Sequence, residues 1–164
     1  MSRCFLNTPL NAGFAATVSA RALIIFDPTL PANYAGMAIC DRASNEPIVL
    51  IQPYLQNSPL FGLVLAHEME HVRQSINYKG GCREFGKRYE EDLIFRVDIE
   101  AEAYCKVLDS HIKVEYYEVA LNKVIRDVYS IYGEPAGLTF LETEAHVMRY
   151  CRPASPPILF GRLK

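Results

Sequence analysis

The sequence contains no apolar run near the ~20 residues that a membrane-spanning helix needs, so we expect no membrane segment. It also lacks a basic block: the formal net charge is −2, with acids and bases interspersed, which gives no reason to expect a nucleic-acid partner. Near the N-terminus, Asn7, Pro9 and Asn11 interrupt what would be the apolar part of a signal peptide. These absences predict a cytoplasmic protein, or one incorporated in a larger particle.

Closely spaced cysteine pairs are missing as well. The five cysteines are odd in number and scattered along the chain: Cys4, Cys40, Cys82, Cys105 and Cys151. Without a C-x-x-C pair, the pattern favours neither a disulfide framework nor a thiolate zinc site. We therefore expect isolated thiols that pack as small hydrophobic side chains.

A chain of 164 residues is close to the common size of one domain. We expect a single domain over residues 1–150 and an extended, proline-rich tail over residues 151–164. Segments rich in β-branched and apolar residues predict strands at 22–26, 35–40 and 48–52. The expected fold class is α+β, with a small antiparallel sheet followed by a mainly helical core.

Four helices are predicted after the strands. The run Asn57-Ser58-Pro59 has the polar cap and early proline that begin a helix, and Gly80-Gly81 ends it. Further helical patterns extend over about 88–110, 115–132 and 139–150.

The first helix carries the sequence HEMEH, in which His67 and His71 stand four residues apart. Residues at that spacing lie on one face of a helix, so the two imidazoles can bind one metal ion. Glu68 is offset from that face, where it can reach a metal-bound water instead of the metal. This spacing favours a metal site with an adjacent general base.

The H-E-x-x-H helix behind a small sheet resembles the zincin metallopeptidases. Together with IEAEAY on the next helix, it is similar to gluzincin-like domains of bacterial and phage proteins, and the similarity covers residues 48–108. In those domains the first glutamate of the downstream E-x-[EQ]-A segment completes the metal site. The resemblance implies one zinc ion held by His67, His71 and Glu100, with Glu68 as the catalytic residue.

Helical spacing also favours Glu100 over Glu102 as the third ligand. Glu100 lies among apolar residues, where a carboxylate needs a partner, whereas Glu102 lies among charged residues and needs none. The segment ETEAH repeats the E-x-E-A form further along the chain, so Glu142 and His146 remain alternative ligands.

The chain departs from the family pattern at Tyr104, where many gluzincins have an aspartate that orients a zinc-bound histidine. A phenol accepts a hydrogen bond less strongly than a carboxylate, so other residues must orient the histidine or metal binding is weaker. The group that stabilises the oxyanion stays open among several candidates: Tyr104, Tyr116, Tyr117, His111 and His146.

The resemblance implies a zinc-dependent peptidase in which a metal-activated water attacks a peptide and Glu68 accepts its proton. The substrate peptide would add to a sheet edge, for which residues 48–52 are the candidate. The alternative is a metallopeptidase-fold protein with a structural or docking role in a phage particle or effector complex, with a protein partner bound through the C-terminal tail.

Overall fold

The computed structural model describes residues 3–4 and 22–151, which form four strands and five α-helices. The strands are β1 (Arg3–Cys4), β2 (Leu23–Phe26), β3 (Gly36–Cys40) and β4 (Pro47–Ile51). The helices are α1 (Phe61–Asn77), α2 (Gly81–Glu91), α3 (Leu93–His111), α4 (Tyr117–Val128) and α5 (Phe140–Tyr150). The α+β fold class is confirmed. None of the helices described is both long and apolar enough to cross a bilayer.

The sheet is mixed, so the expectation of a wholly antiparallel sheet was wrong. Its strand order is β1-β2-β4-β3. β4 pairs antiparallel with β3 and parallel with β2. The reason is that the chain turns back after β3 and places β4 between β2 and β3. β4 is therefore an interior strand, and β3 forms an edge of the described sheet.

The helix predicted over residues 88–110 is two helices, α2 and α3, which meet at Asp92. Asp92 has an extended backbone, and its carboxylate accepts a hydrogen bond from the Phe95 N–H at 2.9 Å. This contact caps α3 and separates it from α2. The observed helix also begins earlier than the predicted residue 88, because Gly80, at φ 99°, turns the chain directly from α1 into α2 at Gly81.

Two hydrophobic cores lie on either side of the contact between α1 and α3. The first joins the sheet to α1 and its buried side chains are Ile24, Val49, Ile51, Leu55 and Val72. The second joins α3, α4 and α5, with Val97, Ala101, Val128 and Val147 fully buried. Because α1 packs on the sheet and on α3, its α3-facing side lies at the seam between the two cores.

Four of the cysteines form disulfides, so the expectation of isolated thiols was wrong for them. Cys40 at the end of β3 is bonded to Cys82 in α2, with 5.6 Å between their Cα atoms. Cys105 in α3 is bonded to Cys151, with a Cα–Cα distance of 4.8 Å. The buried Cys151 belongs to the folded body, although it was predicted to begin the tail. The predicted tail from residue 152 onward and the residues of the signal-peptide analysis lie outside the described residues.

We predict that replacing both Cys105 and Cys151 by alanine lowers the free energy of unfolding by about 2–4 kcal/mol. The bond closes a loop between residues 46 apart in sequence, and its loss returns conformational entropy to the unfolded chain. Urea unfolding without reductant measures the change. Reductant should also destabilise the wild type but leave a variant without the four bonded cysteines unaffected; a wild type insensitive to reductant would contradict the assignment.

Candidate metal centre

The packing of α1 on α3 brings together His67, His71 and Glu100. The Nε2 atoms of the two histidines are 3.1 Å apart. Glu100 Oε2 lies 3.3 Å from His67 Nε2, and Glu100 Oε1 lies 3.4 Å from His71 Nε2. Within residues 22–151, these three side chains form the only group of three or more potential ligands that converges in this way.

The separations between these atoms fit a metal ion. In a tetrahedral site with metal–ligand bonds near 2.0–2.1 Å, neighbouring ligand atoms are about 3.3 Å apart. Glu100 is only 3 % exposed, and its Oε2 has no hydrogen bond from any described residue. Because an unpaired carboxylate oxygen is costly at that depth, an ion among the three side chains would supply the missing partner.

Glu100 and His71 form a buried ion pair in the metal-free protein. Burial acts to raise the pKa of the Glu100 carboxyl, but the neighbouring His71 and His67 outweigh it and hold that pKa well below its usual value. For His71, burial acts to lower the pKa, but the charge and hydrogen bond of Glu100 outweigh it and raise the pKa to about 9. A metal ion must displace the proton of this pair.

Glu68 follows His67 directly on α1 and is 6 % exposed. Burial raises the pKa of its carboxyl, against the influence of His71 and His67. Its side chain packs directly on β3 at Gly36: a Cβ there would lie 2.8 Å from Glu68 Cγ. Glycine at this position therefore allows the edge strand to approach Glu68 closely.

Three tyrosines surround Glu100. The Tyr89 hydroxyl donates a hydrogen bond to Glu100 Oε1. The Tyr104 ring packs on the His67 ring, with the ring centroids 4.4 Å apart. Burial first, and then the Glu100 charge, raises the pKa of Tyr89, Tyr104 and Tyr132. All three remain neutral phenols with a proton to donate. Of the three, only Tyr104 was a candidate from the sequence, since no local pattern connects Tyr89 or Tyr132 to the histidines.

The other candidate ligands lie elsewhere. Glu142 forms the capping box of α5 with Thr139. His146 Nδ1 lies 2.6 Å from Asp98 Oδ1. Glu102 is outside the group too, but it is half-buried and accepts hydrogen bonds, so the expectation that it needs no partner was wrong.

Most candidates for oxyanion stabilisation are also away from the metal group. Tyr117 donates a 2.8 Å hydrogen bond to Asp109, and Tyr116 and His111 are exposed. Of the five residues considered from the sequence, Tyr104 is the one that packs against a member of the group.

Comparison with known proteins adds no relative. A scan against protein-family models and searches of curated proteins and of solved structures find no match to this chain. The assignment of the site therefore depends on its own geometry and on the sequence motif.

We predict that the metal-free protein loses stability as the pH rises from about 6.5 to 9. The folded pKa of His71, about 9, exceeds its unfolded value of 6.5. Its stabilising contribution is therefore complete below pH 6.5 and lost as the pH rises through about 9. Glu100 has the opposite sign: its contribution is present above the unfolded pKa of 4.5 and declines as the pH falls toward its folded pKa.

Urea unfolding of chelator-treated protein between pH 5 and pH 10 measures this dependence. The Glu100→Gln variant is the matched control, because it keeps the shape of the side chain and removes the larger of the two carboxylate charges that raise the pKa of His71. A wild-type stability that varies with pH in the same way as that of Glu100→Gln would contradict the buried pair.

Proposed function

We propose that this chain is a zinc-dependent peptidase with zinc bound by His67, His71 and Glu100. The observation that carries the proposal is the position of Glu68, a buried carboxylate beside three converging ligands but not among them. Two imidazoles and one carboxylate form a donor set of catalytic zinc sites, in which the fourth position is left to water or substrate. A purely structural zinc site has no use for an adjacent base.

The residues divide the chemistry between them. When bound, zinc supplies Lewis-acid chemistry and makes water acidic enough to lose a proton near neutral pH. Glu68 would accept a proton from the attacking water and return it to the leaving amine. The neutral phenols of Tyr104 and Tyr132 are the candidate donors to the oxyanion.

The substrate strand is proposed to pair with β3. Residues 48–52 were the sequence candidate, but β4 is interior and has strands on both sides. β3 lies at the sheet edge and packs on Glu68 at Gly36. An extended peptide added to this edge would bring its backbone next to the general base.

A structural or docking role in a larger particle is the second candidate. The observation in its favour is burial: Glu68, His71 and Glu100 are 6 %, 7 % and 3 % exposed, which leaves His67 as the most accessible member of the site.

The two disulfides also favour an oxidising environment over the cytoplasmic location expected from the sequence.

We predict that Glu68→Gln retains one zinc per chain and reduces peptide hydrolysis by about 10²–10⁴-fold, the usual contribution of a general base. Elemental analysis measures the zinc content, and cleavage of a fluorogenic peptide library measures the activity. His71→Ala should lose both zinc and activity. Zinc-loaded wild type that cleaves no peptide in the library would favour the structural role.

We predict that Gly36→Ala lowers kcat while zinc stays bound, because the added methyl group displaces Glu68 from its place against β3. Gly62→Ala is the matched control: it lies on α1, and a Cβ there meets no atom within 4 Å. That control should keep full activity and gain up to about 1 kcal/mol of stability from the better helix former. Equal kcat values for the two variants would contradict the proposed contact.

A further inference from the structure

A chain of polar side chains extends behind His71, on the side away from Glu100. His71 Nδ1 lies 2.8 Å from Gln74 Oε1. Gln74 Nε2 lies 2.9 Å from Glu102 Oε2 and 3.1 Å from the Ile99 carbonyl oxygen. Arg73 completes the chain, with its Nη2 2.8 Å from Glu102 Oε1.

The chemistry of these contacts fixes the direction of each hydrogen bond. A carboxylate and a carbonyl only accept, so the Gln74 amide nitrogen must face Glu102 and Ile99. The Gln74 oxygen then faces His71, and the His71 Nδ1 must carry the proton. In the neutral imidazole this leaves the lone pair on Nε2, the atom directed at Glu100 and the metal group.

The burial of Gln74 holds its amide to these hydrogen-bond partners. Gln74 is 7 % exposed, so its amide cannot exchange these partners for water without cost. Glu102 is half-buried between Gln74 and Arg73, and Arg73 also bonds Glu70 on α1. The chain therefore connects α1 to α3 and returns to α1.

His67, the other histidine of the motif, has no such chain of hydrogen bonds behind it. His67 Nδ1 is buried and has no hydrogen-bond partner among the described residues. Its ring is packed against Tyr104 instead. Any effect of the polar chain on metal binding must therefore act through His71.

We propose that Gln74 and Glu102 are positioning residues that fix the tautomer and orientation of His71 for metal binding. The proposal rests on the proposed function for the metal itself. Gln74, three residues after the motif, then has an orienting role of the kind that an aspartate has in many gluzincins, in which the position of that aspartate corresponds to Tyr104. Glu102 acts on His71 only through the Gln74 amide.

Zinc titration of single variants tests the role of Gln74. Gln74→Leu should weaken zinc binding by about 10–100-fold, the usual effect of losing an outer partner of a metal-bound histidine. The matched control is Gln52→Leu, since Gln52 is also 7 % exposed and its amide also donates to two backbone carbonyls, those of Leu30 and Pro31. Equal zinc affinity in the two variants would overturn the proposal.

An exchange of the two side chains tests Glu102. Glu102→Gln and Gln74→Glu should each weaken zinc binding. The first replaces one of the two carboxylate oxygens, which accept hydrogen bonds from Gln74 and Arg73, with a donor. The second makes two carboxylates face each other. Gln74→Glu combined with Glu102→Gln restores an acceptor for His71 and a donor–acceptor contact behind it. The double variant should recover to within a few-fold of wild type; a loss equal to the sum of the single effects would refute the chain.

A metal-free measurement separates this proposal from the proposed function. In the metal-free protein, at an alkaline pH where the spectra show that the His71 ring is neutral, long-range ¹H–¹⁵N correlations report which ring nitrogen carries the proton. Wild type should show the proton on Nδ1, and Gln74→Leu should show a mixture. A wild-type protein that binds no zinc but shows this tautomer would contradict the proposed metal site and leave the hydrogen-bonded chain intact. A proton on Nε2 of His71 in the wild type would contradict the positioning role of Gln74.

Discussion

The contact between the Glu100 carboxylate and two imidazoles is the constraint on which the arrangement of the helices depends. A carboxylate at 3 % exposure is expensive unless it is paired, and removal of one partner of a buried charge pair typically costs about 3–5 kcal/mol. α1 and α3 must therefore dock in the one register that places His67 and His71 over Glu100. The Tyr89 hydroxyl adds a donor from α2, so three helices converge on a single buried charge.

The site lies at the seam between the two hydrophobic cores, and this position has a physical reason. Apolar packing holds the sheet to α1 on one side and α3 to α4 and α5 on the other. The polar groups at the seam that run from His71 through Gln74 to Glu102 are held by hydrogen bonds in place of close apolar packing. Such bonds are satisfied only when both cores are in place, which makes the geometry of the site sensitive to how the cores meet.

The parts of the fold and site that the sequence predicted are those that depend on local periodicity. The spacing of His67 and His71 and the apolar surroundings of Glu100 follow from one helical repeat each. The interior position of β4, the disulfide partners and the approach of Tyr89 depend on which distant segments meet, and no local pattern records that. The end of α2 at Asp92 was different: a capping aspartate was visible in the sequence, but the continuous helical pattern across it concealed the break.

The two disulfides give the metal group a topological role. Cys40–Cys82 closes a covalent ring that contains both histidines, and Cys105–Cys151 closes a second ring that contains α4 and α5. Glu100 lies in the segment between the rings, five residues before the second one begins. An ion bound by His67, His71 and Glu100 would link the first ring to the part of α3 that precedes the second ring. We expect the oxidised chain to unfold as one cooperative unit when that bridge is present and as two partly independent units when it is absent.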